Sequence, residues 1–166
     1  MARSDSFFIR ATIDTNATTY AQDSIDLGAF VDALGKTVMR IHNVSVSYGS
    51  PLNGITTVPV AANGVTAFQL TTQSQTDMIG SINRSTISSG SLLVGGNAGG
   101  ELTVATETLD IAPQYWDGGY LVAVESIFLG VDQAVANLVD SVTVVLECTV
   151  ETMTAAASMA LALSQQ

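Results

Sequence analysis

Apolar residues occupy every second position in the first regular stretch of the chain. Between positions 7 and 14, the odd-numbered residues are Phe, Ile, Ala and Ile, whereas Arg, Thr and Asp stand among the even-numbered ones. Successive side chains of a β-strand point to opposite faces, so one face of such a segment is apolar and can be buried. The alternation therefore predicts a strand over residues 7–14.

A second alternating stretch covers residues 37–48, and its apolar parity changes in the middle. Apolar residues hold odd positions up to Ile41 and even positions from Val44 onward. A β-bulge places one extra residue in a strand and shifts which side chains face inward. We therefore predict a long strand with a bulge at His42 and Asn43.

Five further segments are rich in β-branched residues and are predicted to be strands. They are residues 55–60, 65–72, 101–109, 120–129 and 139–151. Asn53-Gly54 and Asn63-Gly64 provide the positive φ angles of tight turns. Helical spacing predicts one short helix over 27–34, and the weakly periodic residues 77–100 are predicted to form a long connection between strands.

This succession of strands predicts an all-β fold. An antiparallel two-sheet sandwich fits, and a single jelly roll of about eight strands suits the chain length best. We expect one domain over residues 1–151, including a short N-terminal arm at 1–6, and an apolar tail at 152–166. The residues predicted to face inward are Ile9, Ile13, Met39, Ile41, Val46, Phe68, Val104, Val122, Val124, Val144 and Leu146.

Charge is scarce in this chain of 166 residues, since Asp, Glu, Lys and Arg make up only 12% of it, against about 25% in ordinary soluble proteins. The net charge of −10 arises from 15 acidic and 5 basic residues. So few cations cannot track a phosphate backbone, so we expect little direct binding to nucleic acid. The start of the chain also lacks the pattern of a signal peptide, and no apolar run is long enough to span a membrane.

Motifs for catalysis or for cofactor and metal binding are missing from the sequence. One histidine, His42, and one cysteine, Cys148, exclude the paired ligands of common zinc sites. Both residues fall inside predicted strands, and a cysteine at an apolar strand position is more often a small core residue than a nucleophile. We therefore predict that the protein is not an enzyme and carries no cofactor.

Two long stretches contain no charged residue, Ile41–Thr76 and Ser85–Gly100. Interface cores are depleted of charge, whereas loops in contact with water usually carry it. This favours a surface that neighbouring subunits cover, with Asn53 and Asn63 as candidate interface positions. The alternative is a neutral surface rich in Ser and Thr that faces water.

The tail from Thr152 to Gln166 is also uncharged. Its sequence fits a strand and an alanine-rich helix equally well. Because disordered tails are usually polar and charged, we expect this one to dock on its own domain or on a neighbour. The candidate contact residues in the tail are Met153, Met159, Leu161 and Leu163.

One aromatic pair, Tyr115 and Trp116, stands beside Asp117. Aromatic rings of this kind can stack on a sugar, as in carbohydrate-binding sandwiches. The same pair can equally close one end of a sandwich or contact another subunit.

Strand-rich patterning, uncharged loops and the lack of an enzyme motif together resemble the small single-jelly-roll capsid proteins of tailless icosahedral viruses. The resemblance covers the whole chain as a pattern. It implies a major capsid subunit that assembles with many copies of itself, and with other virion proteins, in a shell made in the host cytoplasm. Because the N-terminal region of the chain offers only Arg3 and Arg10, the resemblance also implies that the genome is contacted through another layer or only loosely. The alternative function is a lectin-like or adhesin-like carbohydrate-binding module.

Overall fold

The computed structural model describes residues 4–32, 36–49, 63–97, 102–136 and 138–166. These residues form nine strands, a 3-10 turn at Pro113–Tyr115 and one α-helix. The strands are β1 (Phe7–Asp14), β2 (Ala21–Asp26), β3 (Thr37–Gly49), β4 (Gly64–Thr71), β5 (Thr86–Gly96), β6 (Leu102–Ile111), β7 (Tyr120–Val122), β8 (Ser126–Gln133) and β9 (Ser141–Thr152), and the helix is α1 (Ala155–Ser164).

The strands form two antiparallel sheets, one in the order β1-β9-β3-β7 and the other in the order β2-β8-β4-β5-β6. Strands from the two ends of the chain pair in turn, β1 with β9, β2 with β8 and β3 with β7, and β4 then pairs with β5. This folded-over pairing is that of a jelly roll, with β6 added at the edge of the five-stranded sheet. The predicted antiparallel sandwich is confirmed.

The bulge in β3 lies where the change of parity predicts it. Ile41 pairs with Cys148 and Asn43 pairs with Glu147, so His42 is the extra residue of the ladder. Before the bulge Ile41 faces the core, and after it Val44 does. The prediction for β1 is confirmed as well, with the expected bounds Phe7–Asp14.

A hydrophobic core fills the space between the sheets, and the rings of Tyr48 and Phe68 meet edge to face near its centre at 6.5 Å. Most of the residues predicted to face inward are buried: Ile13, Met39, Ile41, Phe68, Val122, Val144 and Leu146. Ile9, Val46 and Val124 are half-buried against this core. Val104 was placed inward wrongly, because it is 54% exposed on the outer side of β6.

The prediction of a long connection over 77–100 is wrong, because Thr86–Gly96 forms strand β5. Ser88 and Gly90 take inward positions opposite Leu70 and Phe68. A Cβ on Gly90 would lie 2.9 Å from Phe68 Cε1, so the ring of Phe68 fills the space that a larger residue would need. Small inward residues remove the apolar alternation on which the prediction depends.

Two other boundaries differ from the predictions. The expected strand at 120–129 is two strands, because β7 pairs with β3 in one sheet and β8 pairs with β2 and β4 in the other. The chain changes sheets at residues 123–125. Strand β2 was not predicted, since Ile25 is its single buried side chain.

The predicted helix over 27–34 is also corrected, for the described residues 27–32. One turn forms there, in which the amides of Phe30 and Val31 donate to the Leu27 carbonyl at 2.8 and 2.9 Å. Leu27 and Val31 are both buried, so a single turn satisfies the spacing that suggested a helix. The predicted strand at 55–60 and the Asn53-Gly54 turn lie outside the described residues.

Candidate functional site

Helix α1 forms from the uncharged tail, which settles the choice between strand and helix. The Thr154 hydroxyl accepts a hydrogen bond from the Ala157 amide at 3.3 Å and caps the helix. Alanine and leucine, which have high helix propensity, make up most of the ten residues that follow.

The inner side of α1 packs on the outer face of the four-stranded sheet. Ala162 is buried against Val38 and Ala123, with Leu161 and Met153 half-buried around them. Val38 is fully buried although its neighbour Met39 belongs to the main core on the other face. The helix therefore adds a second small core to this part of the sandwich.

Gln165 fixes the end of the helix to the body of the domain. Its Nε2 donates to the Leu121 carbonyl at 2.6 Å, and its Oε1 accepts from the Ala123 amide at 2.9 Å. The Thr72 hydroxyl donates to the Gln165 carbonyl at 2.9 Å. These three hydrogen bonds hold α1 in one orientation.

The outer side of α1 is apolar as well. Met159 and Leu163, one helical turn apart, are 46% and 65% exposed. An apolar groove of about 610 Å³ continues this surface past the start of the helix, between Lys36, Met153 and Ala157. We call Met159, Leu163 and this groove the α1 surface.

A second candidate site lies at Tyr115, between β3 of one sheet and β6 of the other. The side-chain amide of Gln114 donates to the Val44 carbonyl at 3.0 Å and accepts from the Val44 amide at 3.1 Å, as a paired strand would. This places the exposed Tyr115 ring over a cavity of about 290 Å³. We call it the Tyr115 cavity, and it is lined by Val46, Tyr48, Glu107, Thr108, Leu109 and Tyr115.

The Tyr115 cavity has an acidic, hydroxyl-bearing lining. Tyr115 donates to the Leu109 carbonyl at 3.2 Å. Burial raises the pKa of the Tyr48 hydroxyl, and the carboxylates of Glu107 and Asp110 raise it further, so Tyr48 remains protonated. Glu107 lies on the inner face of β6. This strand extends beyond the short strand β7 of the opposite sheet. The sequence does not reveal this inward carboxylate, because the prediction that Val104 faces inward places Glu107 on the outer face.

Other predicted positions do not converge on either site. Asn53 lies outside the described residues, and Asn63 is exposed at the start of β4, where its Oδ1 accepts from the Gly96 amide at 2.6 Å. Trp116 is 41% exposed beside Tyr115. The structure thus places Met153 and Leu161 against the sheet beneath α1, and Met159 and Leu163 on the outer side of the helix. Asn63 belongs to neither group, because it directly precedes β4.

Part of the lack of charge in the two charge-free stretches is explained within the chain itself, by strands β4 and β5. Strand β4 is paired on both sides, and Gln69 on its outer face is fully buried because its side chain bonds to the Asp77 carbonyl and the Ile79 amide. Strand β5 is buried over most of its length. Burial accounts for the lack of charge in β4 and β5, whereas Asn43, Ser45 and Ser47 of β3 are uncharged and exposed.

His42 and Cys148 lie on opposite faces of the four-stranded sheet. Cys148 is buried in the core, and burial followed by the charge of Glu147 raises the pKa of its thiol to about 12. His42 Nε2 instead lies 2.9 Å from the Thr149 hydroxyl. Within the described residues no three metal-binding side chains cluster, and no helix is long and apolar enough to cross a membrane.

No protein-family model matches the chain, and no curated protein matches it in sequence. Among solved structures, VP1 of trichodysplasia spinulosa-associated polyomavirus, in complex with sialylated precision glycooligomers, is 11% identical, with 89% of this chain and 95% of that chain covered and a TM-score of 0.50. Desmodium yellow mottle tymovirus is 12% identical, covering 90% and 86% of the two chains with a TM-score of 0.39. Maize chlorotic mottle virus is 8% identical, covering 88% and 94% with a TM-score of 0.32.

The likeness to the polyomavirus protein shows a shared fold and nothing more specific at this identity. The resemblance to jelly-roll capsid proteins of tailless icosahedral viruses is confirmed at that level. Jelly rolls also carry other functions, including lectins, so the function has to be argued from the surfaces.

Proposed function

We propose that this protein is a self-assembling shell subunit, the major capsid protein of a tailless icosahedral virus, and that it resides in the virion. Its principal partners are copies of itself, and other virion proteins complete the shell. The five basic residues of the chain are too few to hold a genome directly. The genome is therefore contacted through another layer or only loosely.

The observation that carries this proposal is the apolar outer side of α1. Met159 and Leu163 remain exposed on a helix that Gln165 holds in place, and no charged residue occurs between positions 152 and 166. Fully burying a side chain such as leucine contributes roughly 1.5–3 kcal/mol. Large exposed apolar patches are uncommon on the surfaces of monomeric proteins. A helix that is held in place with apolar residues on its outer side as well as its inner side is therefore typical of a contact between subunits.

The occupant of the α1 surface is a second copy of the chain. The groove that adjoins Met153 extends the apolar area beyond the helix, so the contact need not depend on two side chains alone. Stable interfaces bury about 800 Å² on each partner. The α1 surface is therefore one part of a wider contact between subunits.

Charged substitutions on α1 test the proposal directly. Met159→Glu combined with Leu163→Glu places two charges on the outer side without touching the buried Ala162. We expect this variant to melt at nearly the wild-type temperature and to sediment as smaller species. Thr18→Glu, at an exposed turn, is the matched control and should assemble normally. Normal assembly of the double variant would contradict the proposed contact.

The alternative function, a carbohydrate-binding module, is favoured by one feature, the exposed Tyr115 ring above a cavity with hydroxyl groups. The segment 77–100, predicted as a long connection, contains strand β5 at Thr86–Gly96, so less of it is loop than a binding site built on that connection would need. A monomeric protein that binds saccharides on an array, with binding lost in Tyr115→Ala, would support this alternative over the shell.

A further inference from the structure

Ile82 is 98% exposed, an unusual position for a large apolar side chain. The turn that carries it is held by several hydrogen bonds. The Asn83 amide donates to the Gly80 carbonyl at 2.9 Å, and the Thr86 amide donates to the Asn83 carbonyl at 3.0 Å. The Asn83 Oδ1 accepts from the Ser85 amide at 3.0 Å. Ile82 is thus presented on an ordered turn.

Arg84 stands two residues further along the same turn and is exposed as well. The described residues include an ion pair between Arg40 and Glu151, but no carboxylate contacts Arg84 among them. We call Ile82, Asn83 and Arg84 the Ile82 turn.

The Tyr115 cavity has the complementary chemistry. Val46 and Leu109 supply apolar walls, and Glu107 supplies a carboxylate at an exposed edge. The exposed ring of Tyr115 offers a face on which a guanidinium can stack. Arg84 of the same molecule lies instead at a separate depression with Tyr120 and Leu161, so the two features do not meet within one chain in this structure.

We propose that the Ile82 turn of one copy docks in the Tyr115 cavity of a second copy. Ile82 packs against Val46 and Leu109, and Arg84 pairs with Glu107 while lying over the Tyr115 ring. This proposal rests on the proposed function, because it names one of the contacts between shell subunits. Charge favours a second copy over a saccharide, since Arg84 can neutralise the Glu107 carboxylate and a neutral sugar cannot.

Such a contact joins one surface of the first copy to a different surface of the second copy. A contact of that kind is heterologous, and repeated around an axis it generates closed rings of subunits. A heterologous contact gives each subunit two neighbours, one at its Ile82 turn and one at its Tyr115 cavity, and the α1 surface adds a further contact. A shell requires this of its subunits.

Charge reversal tests the pairing of Arg84 with Glu107. Arg84→Glu and Glu107→Arg, each alone, place like charges together and should raise the concentration for half-assembly about tenfold or more. The two changes combined in one chain should restore assembly towards the wild-type value. Arg10→Glu, at an exposed position on β1, is the control for the change in net charge. Assembly is followed by sedimentation velocity at neutral pH.

Ile82→Ser tests the apolar part of the contact without changing charge. Because Ile82 is exposed, the variant should keep the wild-type melting temperature and assemble more weakly. Wild-type assembly in the single variants, or a double reversal no better than the singles, would overturn the docking proposal and leave the shell proposal intact. A wild-type protein that is monomeric at every concentration would overturn both proposals. Assembly that continues unchanged while a saccharide is bound at Tyr115 would overturn the docking proposal alone.

Discussion

Arg40 on β3 and Glu151 on β9 form a bidentate ion pair, in which the Nε–Oε1 distance is 2.7 Å and the Nη2–Oε2 distance is 2.9 Å. The hydrogen bond to Glu151 raises the pKa of the Arg40 guanidinium. Its Nη1 also donates to the Gly118 carbonyl, so the pair connects the sheet with the turn before β7. Glu151 is the cross-strand partner of Val38, which α1 covers. The ion pair therefore stabilises the part of the four-stranded sheet against which α1 packs.

Removing one partner of this pair should destabilise the fold. Glu151→Gln keeps the size of the side chain but leaves Arg40 without its carboxylate in a largely buried position. We expect a loss of about 1–3 kcal/mol in the free energy of unfolding, measured by denaturant titration. Glu125→Gln, an exposed carboxylate, is the control and should change little. Equal stability of both variants would show that the pair contributes nothing.

Gly90 should tolerate no larger residue. In Gly90→Ala the new Cβ would crowd Phe68 and the Thr108 backbone carbonyl, which cannot move away as a flexible side chain could. We expect thermal unfolding to show a loss of about 1–3 kcal/mol. The nearest atoms to a Cβ on Gly95 are 3.8 Å away, so Gly95→Ala should be nearly neutral. A neutral Gly90→Ala would mean that β4 and β5 are spaced more widely.

Leu146→Ala and Val104→Ala test which face of each strand is buried. Leu146 is fully buried in β9, so its truncation should cost about 2–5 kcal/mol. Val104 is exposed on β6, and its truncation should stay within about 0.5 kcal/mol. Chemical denaturation of both variants measures the difference. Similar losses for both would place Val104 in the core after all.

Cys148 should be unreactive in the folded protein. With a thiol pKa of about 12, roughly one thiol in 10,000 is ionised at pH 8. Ellman's reagent should therefore modify Cys148 only after denaturation, and Cys148→Ala gives the blank. Folding raises the pKa of the Cys148 thiol. The stability that this thiol contributes is therefore present below about pH 9 and is lost as the pH rises towards 12. Rapid modification of the native protein would indicate an accessible thiol.

The parts of the fold that could be predicted from sequence are those in which one strand face is apolar and the other is not. Strand β1 and the bulge at His42 are of this kind. Strand β5 is not, because Ser88 and Gly90 face inward to make room for Phe68, a relationship that only the paired strands reveal. Edge strand β2 has too few buried residues to leave a pattern.

The candidate surfaces divide in a similar way. The lack of charge in the tail pointed to Met159 and Leu163 without showing whether they belong to a helix. The exposure of Ile82 could not be predicted, because a short turn has no periodicity from which to infer burial. Glu107 was missed because β6 overhangs the cleft as an extra edge strand, and its inward side can therefore reach water.

The proposal that this chain is a shell subunit is tested most directly by the size of the purified 166-residue chain at neutral pH, measured by mass photometry and viewed by negative-stain electron microscopy. A shell subunit should form closed particles of uniform diameter that contain many copies and dissociate on dilution or in the Met159→Glu, Leu163→Glu variant. A chain that remains a 17.2 kDa monomer at all concentrations would contradict the central claim.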